Sequence, residues 1–380
     1  MKISALFQKI SNLYEEMPLE KDDEWRSFTY NAAAARLRRL DFEVCIESLQ
    51  MLSKRKGFGK KIMKQIKEIL NTGNCELIAQ FEHDTMRLNV RNMINIWGIG
   101  TSKAVELVKL GFTDISSVRR ALGENQIQLH ETIRVGVQYY EEFQEKLDRS
   151  EVKQIGDIVA KAFQKYFPDA EINIVGSYRR GNEKCGDVDI LITHPKFVTC
   201  VPEGAVDELV ERLRDEGHIS DHLTFVDPSH KEALPLRADN LDDILLHSSQ
   251  VTAKYMGVFV SPLNSKHRRI DIRFYPYREK AFATLFFTGN NWFHRAMRWY
   301  ARSKREMKLN DTGLFKLTVE EEKKFSREGK RVKATSEKEI FERLGLVYQE
   351  PHQREAFNAI IPKDGSDFDI GLNQKNFQME

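Results

Sequence analysis

The chain has 380 residues, 41% of them hydrophobic, enough for roughly two to four compact units with real cores. A formal net charge of +2 excludes wholesale electrostatic binding, so any polyanion must be met by local basic tracks. Its four cysteines (Cys45, Cys75, Cys185, Cys200) lack CxxC or metal-ligand spacing, and no secretory leader or membrane-length apolar run is present, so a soluble intracellular protein with reduced thiols is expected.

From the start to about residue 150 the pattern predicts helix after helix, with helical apolar spacing at Ile62, Ile66, Ile69 and Leu70 and again at Ala104, Val105 and Val108. Gly73 and Gly111 read as helix stops. Arg36, Arg38, Arg39, Lys54, Arg55, Lys56, Lys60, Lys61, Lys64 and Lys67 form the first basic cluster. Two segments there suit contact with a phosphate backbone. Trp97-Gly98-Ile99-Gly100-Thr101-Ser102-Lys103-Ala104 has the form of a helix-hairpin-helix, and Gly57-Phe58-Gly59-Lys60-Lys61 is a more basic version. Glycines at such a corner let N–H groups at a helix start approach a phosphate, although short GxG turns also begin ordinary helices.

From about 171 the period changes. Ile172 to Val175 reads as a strand ending at Gly176, Asp187 to Thr193 as a second, and Arg269 to Phe274 as a third that stops before Pro276. Ala205 to Arg214 has helical spacing. A strand is expected to end near Phe225 and another to begin near Lys254, with a long connection from Val226 to Thr252. After about 286 the chain turns helical, with a second basic cluster of Arg295, Arg298, Arg302, Lys304, Arg305 and Lys308. A helix from Ser336 to Leu344 is predicted, capped by Ser336 and Glu339, and the polar tail past Phe357 is expected to be loose.

The chemistry concentrates in Gly176-Ser177-Tyr178-Arg179-Arg180-Gly181 followed by Asp187-Val188-Asp189. Residues two apart on a strand share a face, so Asp187 and Asp189 present two carboxylates together. Like charges that close are compensated by a divalent cation, and all-oxygen ligands suit Mg²⁺, with Mn²⁺ as a substitute. The Gly-Ser turn, the Ser177 hydroxyl and the Arg180 guanidinium supply donors for a polyphosphate. Asp271, on its own alternating strand beside Arg268 and Arg269, completes a three-acid cage if the strands are neighbours. A DxD pair on an exposed strand is common and often carries no chemistry; the preceding Gly-Ser-x-Arg-Arg-Gly is what points to phosphoryl transfer.

The run GSYRRGNEKCGDVDILITHP, Gly176 to Pro195, resembles the signature of family X DNA polymerases, most of all the lambda branch, and the resemblance extends from about Leu6 to Phe357. It implies an α+β architecture: a helical lyase-like domain (1–76), helical fingers (77–150), a palm with a mixed sheet (151–285) and an α/β thumb (286–380). It implies that Asp187, Asp189 and Asp271 are the catalytic, metal-binding acids. Arg149, Gly176, Ser177, Arg180 and Gly186 would contact the triphosphate. Phe286, Phe287 and Gly289, in Phe-Phe-Thr-Gly-Asn, would select the nucleotide, with His294 at the base. Arg295 and Arg298 would meet template and primer, Gly98 and Gly100 the DNA backbone, and Trp25, Arg26, Tyr30, Lys60 and Lys61 a 5′-phosphate pocket. The implied function is gap-filling, template-directed DNA synthesis in base-excision repair or end joining. The enzyme would be a nuclear monomer acting on gapped or broken DNA with dNTPs, with excision-repair or end-joining proteins as partners. A template-independent terminal transferase and an idle DNA-end scaffold are the alternatives.

Several positions depart from the family pattern. The Schiff-base lysine of its lyase domain falls at Gln65, beside Lys64, and glutamine forms no imine. The long 226–252 segment is similar to the loop of the mu and terminal transferase branches, yet Gly186 and Phe286 are not their residues, and His294 replaces an asparagine. Nothing resembling a BRCT domain precedes Lys2, so docking through that module is not expected of this chain.

Overall fold

A computed structural model describes residues 2–224, 252–317, 330–354 and 359–366. The chain divides into two compact units, one built mainly of residues up to Ile133 and the other running from Arg134. Among the described residues no helix is long and apolar enough to cross a membrane.

The first unit is all helix: α1 (Lys2–Glu16), α2 (Asp23–Arg38), α3 (Leu49–Ser53), α4 (Lys60–Thr72), α5 (Glu76–His83), α6 (Thr85–Ile94), α7 (Thr101–Lys109), α8 (Ile115–Gly123) and the start of α9 (Glu131–Gln138). The apolar stripe foreseen on α4 is buried, with Ile62, Ile66 and Ile69 packed among Phe7, Ile10, Tyr14, Tyr30 and Leu52. Gly73 ends α4 in the left-handed conformation (φ 74°), and its N–H returns to the Ile69 carbonyl at 2.8 Å.

The second unit continues through α10 (Tyr140–Gln144), β1 (Leu147–Asp148), α11 (Arg149–Gln164), β2 (Glu171–Ile174), α12 (Gly176–Arg179), β3 (Lys184–Cys185) and β4 (Val188–Thr193). It goes on with α13 (Ala205–Asp215), β5 (Ile219–His222), β6 (Ala253–Val260), β7 (His267–Phe274), α14 (Lys280–Thr288) and α15 (Asn291–Arg305). It closes with β8 (Met307–Leu309), β9 (Leu314–Lys316), β10 (Arg331–Val332) and α16 (Glu337–Arg343). The main sheet has the order β2-β4-β7-β6-β5. Its β4–β7 pair is parallel and the other pairs antiparallel, so the sheet is mixed as expected. One face is the core. Ile190, Ile192, Ile270, Ile272 and Phe274 pack on Val152, Ile155, Val159 and Phe163 of α11 and on Leu209, Val210 and Leu213 of α13. With a side-chain period of two, the odd-numbered residues of β4 and β7 must face the other way. A second sheet, β10-β9-β8, lies beyond α15 in the chain, and Ser336 caps α16 by accepting the Glu339 N–H.

Three expectations change. The strand expected from Asp187 starts at Val188, and the Gly176 to Arg179 turn is a short helix with Gly176 at φ 57°. The divisions expected after 76, 150 and 285 fall within a few residues of the ends of α5, α11 and α14. The strand expected to reach Phe225 ends at His222. The long connection at 226–251 and most of the tail past Phe357 lie outside the described residues.

Candidate nucleotidyl-transfer site

Register brings the acids together. Asp189 on β4 is the direct partner of Asp271 on β7 in the parallel pair, and Asp187 immediately precedes β4. Parallel pairing of two alternating strands with their apolar residues in one core leaves both carboxylates on the opposite face. The next odd residues of β7 carry charge as well. Arg273 donates to Asp271 Oδ2 at 2.6 Å, and Arg269 pairs with Asp187 Oδ2 at 3.3 Å. Arg268, the other flanking arginine, points into the core side and is buried against Glu151 at 2.8 Å.

The electrostatics report crowding. Burial first, then the charges of Asp187 and Asp271, push the Asp189 carboxyl up to about 7, against the pull of Arg273 and Arg180. Asp271 is also raised, mainly by burial, although Arg273 opposes it. The strands that carry the expected three acids are neighbours. Among the described residues no three His, Cys, Asp or Glu side chains are gathered around one point, and Asp271 and Asp187 are each paired with an arginine. The residues nevertheless fit a divalent cation. Asp271 Oδ1 is buried without a partner, the donor set is all hard oxygen, and the carboxylates hold excess negative charge.

Gly176 is required here by space. A Cβ on it would lie 1.8 Å from Asp189 Oδ2, and its φ is positive. The Val175 N–H, just before it, donates to the Asp189 carbonyl at 2.9 Å, which ties α12 to the acid strand. Ser177 follows on the first turn of α12, whose leading N–H groups have no intrahelical acceptor. Arg180 donates to the Thr288 carbonyl at 2.7 Å and lies against Gly289. Gly186 accepts from Arg269 at 3.3 Å. Arg149, expected at a phosphate, also contacts the loop. It donates to the Tyr178 and Asn182 carbonyls at 2.6 and 3.1 Å and lies 3.9 Å over the Tyr178 ring, which braces the segment.

The Phe286 to Asn290 segment is the end of α14 and the corner into α15. Phe286 stacks on His294 at 5.1 Å, and Phe287 lies under the Arg273 guanidinium at 4.4 Å. His294 is 7% exposed, burial drives its imidazole down to about 4, and its Nε2 has no partner. It is therefore neutral near pH 7. Arg295 lies over Trp292 at 5.5 Å, and both Arg295 and Arg298 are half-buried.

One network escaped the sequence reading. Glu337 of α16 takes Arg179 at 2.6 Å and the fully buried Arg354 at 2.6 Å, and Arg179 also donates to the Thr288 hydroxyl at 2.5 Å. It pins α12 to the Thr288 corner. The adjacent arginines of Arg179-Arg180 were visible, but nothing in the sequence marks Glu337 or Arg354 as their partners.

In the helical unit, Gly59 and Gly100 are the residues before α4 and α7, with open space where a Cβ would stand, and Gly57 and Gly98 have positive φ. Both hairpins therefore have the corner that backbone phosphate contact needs, and Lys60, Lys61 and Lys64 are exposed beside one of them. Residues expected in the 5′-phosphate pocket have partners within the fold. Tyr30 is 2% exposed and donates its hydroxyl to the buried Gln65 at 2.9 Å. Arg26 is held by Glu20 at 2.5 Å and Asp23 at 2.7 Å. Trp25 stacks on Phe28 at 5.5 Å.

Family models match most of the chain, up to residue 355. A helix-hairpin-helix domain matches residues 2–75, the fingers domain of DNA polymerase lambda 91–144, the DNA polymerase beta palm 146–277 and the DNA polymerase beta thumb 283–355. The chain belongs to the family X DNA polymerases. Family X relatives include a DNA polymerase lambda of Arabidopsis thaliana, 28% identical over 353 residues, 93% of this chain and 61% of that protein. DNA polymerase lambda of Rattus norvegicus is 30% identical over 336 residues, 88% of this chain and 53% of the relative. A DNA nucleotidylexotransferase of Eulemur macaco is 28% identical over 351 residues, 88% of this chain and 65% of the relative. The chain thus spans between 53% and 65% of the length of these family X proteins.

Proposed function

We propose that this family X chain extends a DNA primer by template-directed nucleotidyl transfer, filling short gaps in repair. One observation supports the reading above the rest: Asp189 and Asp271 in direct register, with Asp187 beside them and the α12 helix tied to the same strand. Asp187, Asp189 and Asp271 would hold Mg²⁺, or Mn²⁺ in its place, and these ions supply Lewis-acid stabilisation of charge on the transferring phosphoryl group. Ser177, Arg180 and the first N–H groups of α12 orient the triphosphate in line with the primer end. Phe286 and Phe287 crowd the sugar so that a deoxyribose is preferred, and neutral His294 stands at the base edge. The two hairpins hold the DNA backbone through N–H groups, and Lys60 and Lys61 provide the salt-sensitive part of the binding. Excision repair and end joining are the processes it would serve, as a nuclear monomer.

The test is extension across a one-nucleotide gap in Mg²⁺, with and without template opposite the gap. Templated incorporation of the complementary dNTP, abolished in Asp271→Ala with DNA affinity retained, is the expected result. Equal incorporation without a template would identify a terminal transferase. DNA binding with no incorporation in either metal would identify a scaffold.

A further inference from the structure

Tyr275 follows the last residue of β7, its N–H donating to the Ile192 carbonyl at 3.1 Å. It is 5% exposed, and its hydroxyl is donated to Asp311 Oδ2. Asp311 sits on the turn between β8 and β9. That turn is braced by Asn310, whose Oδ1 accepts the Thr312 and Gly313 N–H groups at 3.0 and 2.9 Å. Arg331 of β10 adds a hydrogen bond to the Thr312 carbonyl at 2.7 Å. The acceptor is therefore fixed from the thumb side. Burial and the Asp311 carboxylate both push the tyrosine hydroxyl well above its ordinary range, so it stays a donor at any physiological pH.

On the other side, the Tyr275 ring belongs to a small apolar cluster with Val175, Leu191 and Ala283, and Phe287 packs against it at 5.5 Å between ring centroids. Three of these neighbours adjoin the candidate site. Val175 precedes Gly176, Leu191 is two residues along β4 from Asp189, and Phe287 carries the Arg273 guanidinium that is bonded to Asp271. A single side chain thus links a rigid thumb turn to the floor beneath the acids and to the nucleotide-selecting segment.

We propose that Tyr275 and Asp311 are positioning residues: their hydrogen bond is the strut by which the β8–β9 turn fixes Phe287 and, through it, Arg273 over Asp271. This inference rests on the polymerase reading for its catalytic consequence, whereas the strut itself is a property of the fold. The ring alone can fill the cluster, so the hydroxyl is not needed for packing. What it adds is direction, because an apolar contact leaves rotation free and a buried hydrogen bond to a fixed acceptor does not.

The experiment compares Tyr275→Phe, Asp311→Ala, Asp311→Asn and the Phe–Ala double variant by two readouts. Hydrogen–deuterium exchange of the 284–290 peptide tests the strut without reference to activity, with the 149–164 helix as internal control. Gap filling gives KM for the dNTP and kcat separately. Tyr275→Phe and Asp311→Ala are expected to speed exchange in 284–290 alone and to raise KM about fivefold to tenfold with kcat within about twofold. Asp311→Asn keeps an acceptor and should restore most of the loss. The double variant should be no worse than the worse single, because both cut one bond. Unchanged exchange at 284–290, or additive effects in the double variant, would overturn the strut. A wild-type chain that incorporates nothing would instead sink the polymerase reading, and the exchange arm would still decide the strut.

Discussion

Asp189 allows the cost of assembling the site to be measured. Its carboxyl is pushed up to about 7 by burial and by Asp187 and Asp271, against 3.8 for an ordinary aspartate. A raised carboxyl contributes stability that is fully present below 3.8 and is lost as pH rises through about 7. At pH 8 the metal-free folded chain must ionise a group that favours its proton, a penalty of ~4 kcal/mol at most. Asp189→Asn mimics the protonated acid in shape and never ionises. The variant should therefore be more stable than the wild type at pH 8 by roughly 2–4 kcal/mol, and nearly equal to it at pH 4.5, where most of that penalty has vanished. In a unit of this size that corresponds to a rise in melting temperature of about 5–10 °C at the higher pH. The assay is thermal and urea unfolding of both chains in EDTA at the two pH values. Adding Mg²⁺ at pH 8 should stabilise the wild type and leave the variant nearly unmoved, because binding to the folded state alone shifts the equilibrium. A variant destabilised equally at both pH values, or a gap that does not change with pH, would refute the argument that like charge is stored at this position.

Three further expectations concern other parts of the molecule. Gly176→Ala places a methyl 1.8 Å from Asp189 Oδ2 and a side chain at φ 57°; it should abolish incorporation, retain DNA affinity by fluorescence anisotropy, and cost ~1–2 kcal/mol for the backbone conformation alone. Glu337→Ala strands the fully buried Arg354 and should cost about 3–5 kcal/mol in urea unfolding, more than Glu337→Gln. Burial raises the Glu337 carboxyl but Arg179 and Arg354 outweigh it and hold it below 4.5, so this stabilisation is present above pH 4.5 and disappears as pH falls below it. Borohydride trapping on an incised abasic site should be absent in the wild type, because Gln65 is buried on Tyr30 and Lys64 points outward, and should appear in Gln65→Lys; strong wild-type trapping lost in Lys64→Ala would reverse that assignment.

How much of this was legible depends on the range of the interaction. The alternation of β7 and the Asp-x-Asp pattern determined that Asp271 and Asp189 would share a face with charged neighbours, because a strand's period of two is a local property. Arg273, two residues from Asp271, was readable by the same rule. The glycine corners before α4 and α7 and the Ser336 cap were likewise local, since backbone conformation and capping are decided within a few residues. Tertiary structure alone decided that β4 and β7 are parallel neighbours in the register Asp189–Asp271, which makes two separate acids one site. It also decided that Tyr30 and Gln65 spend their polar groups on each other, that Arg149 braces a loop, and that Glu337 and Arg354 complete the arginine network. Each of these is a buried or half-buried polar pairing between residues at least 17 positions apart. A polar side chain carries no mark of its distant partner in the sequence; packing selects it, since a buried donor or acceptor must be satisfied by whatever the fold brings within reach.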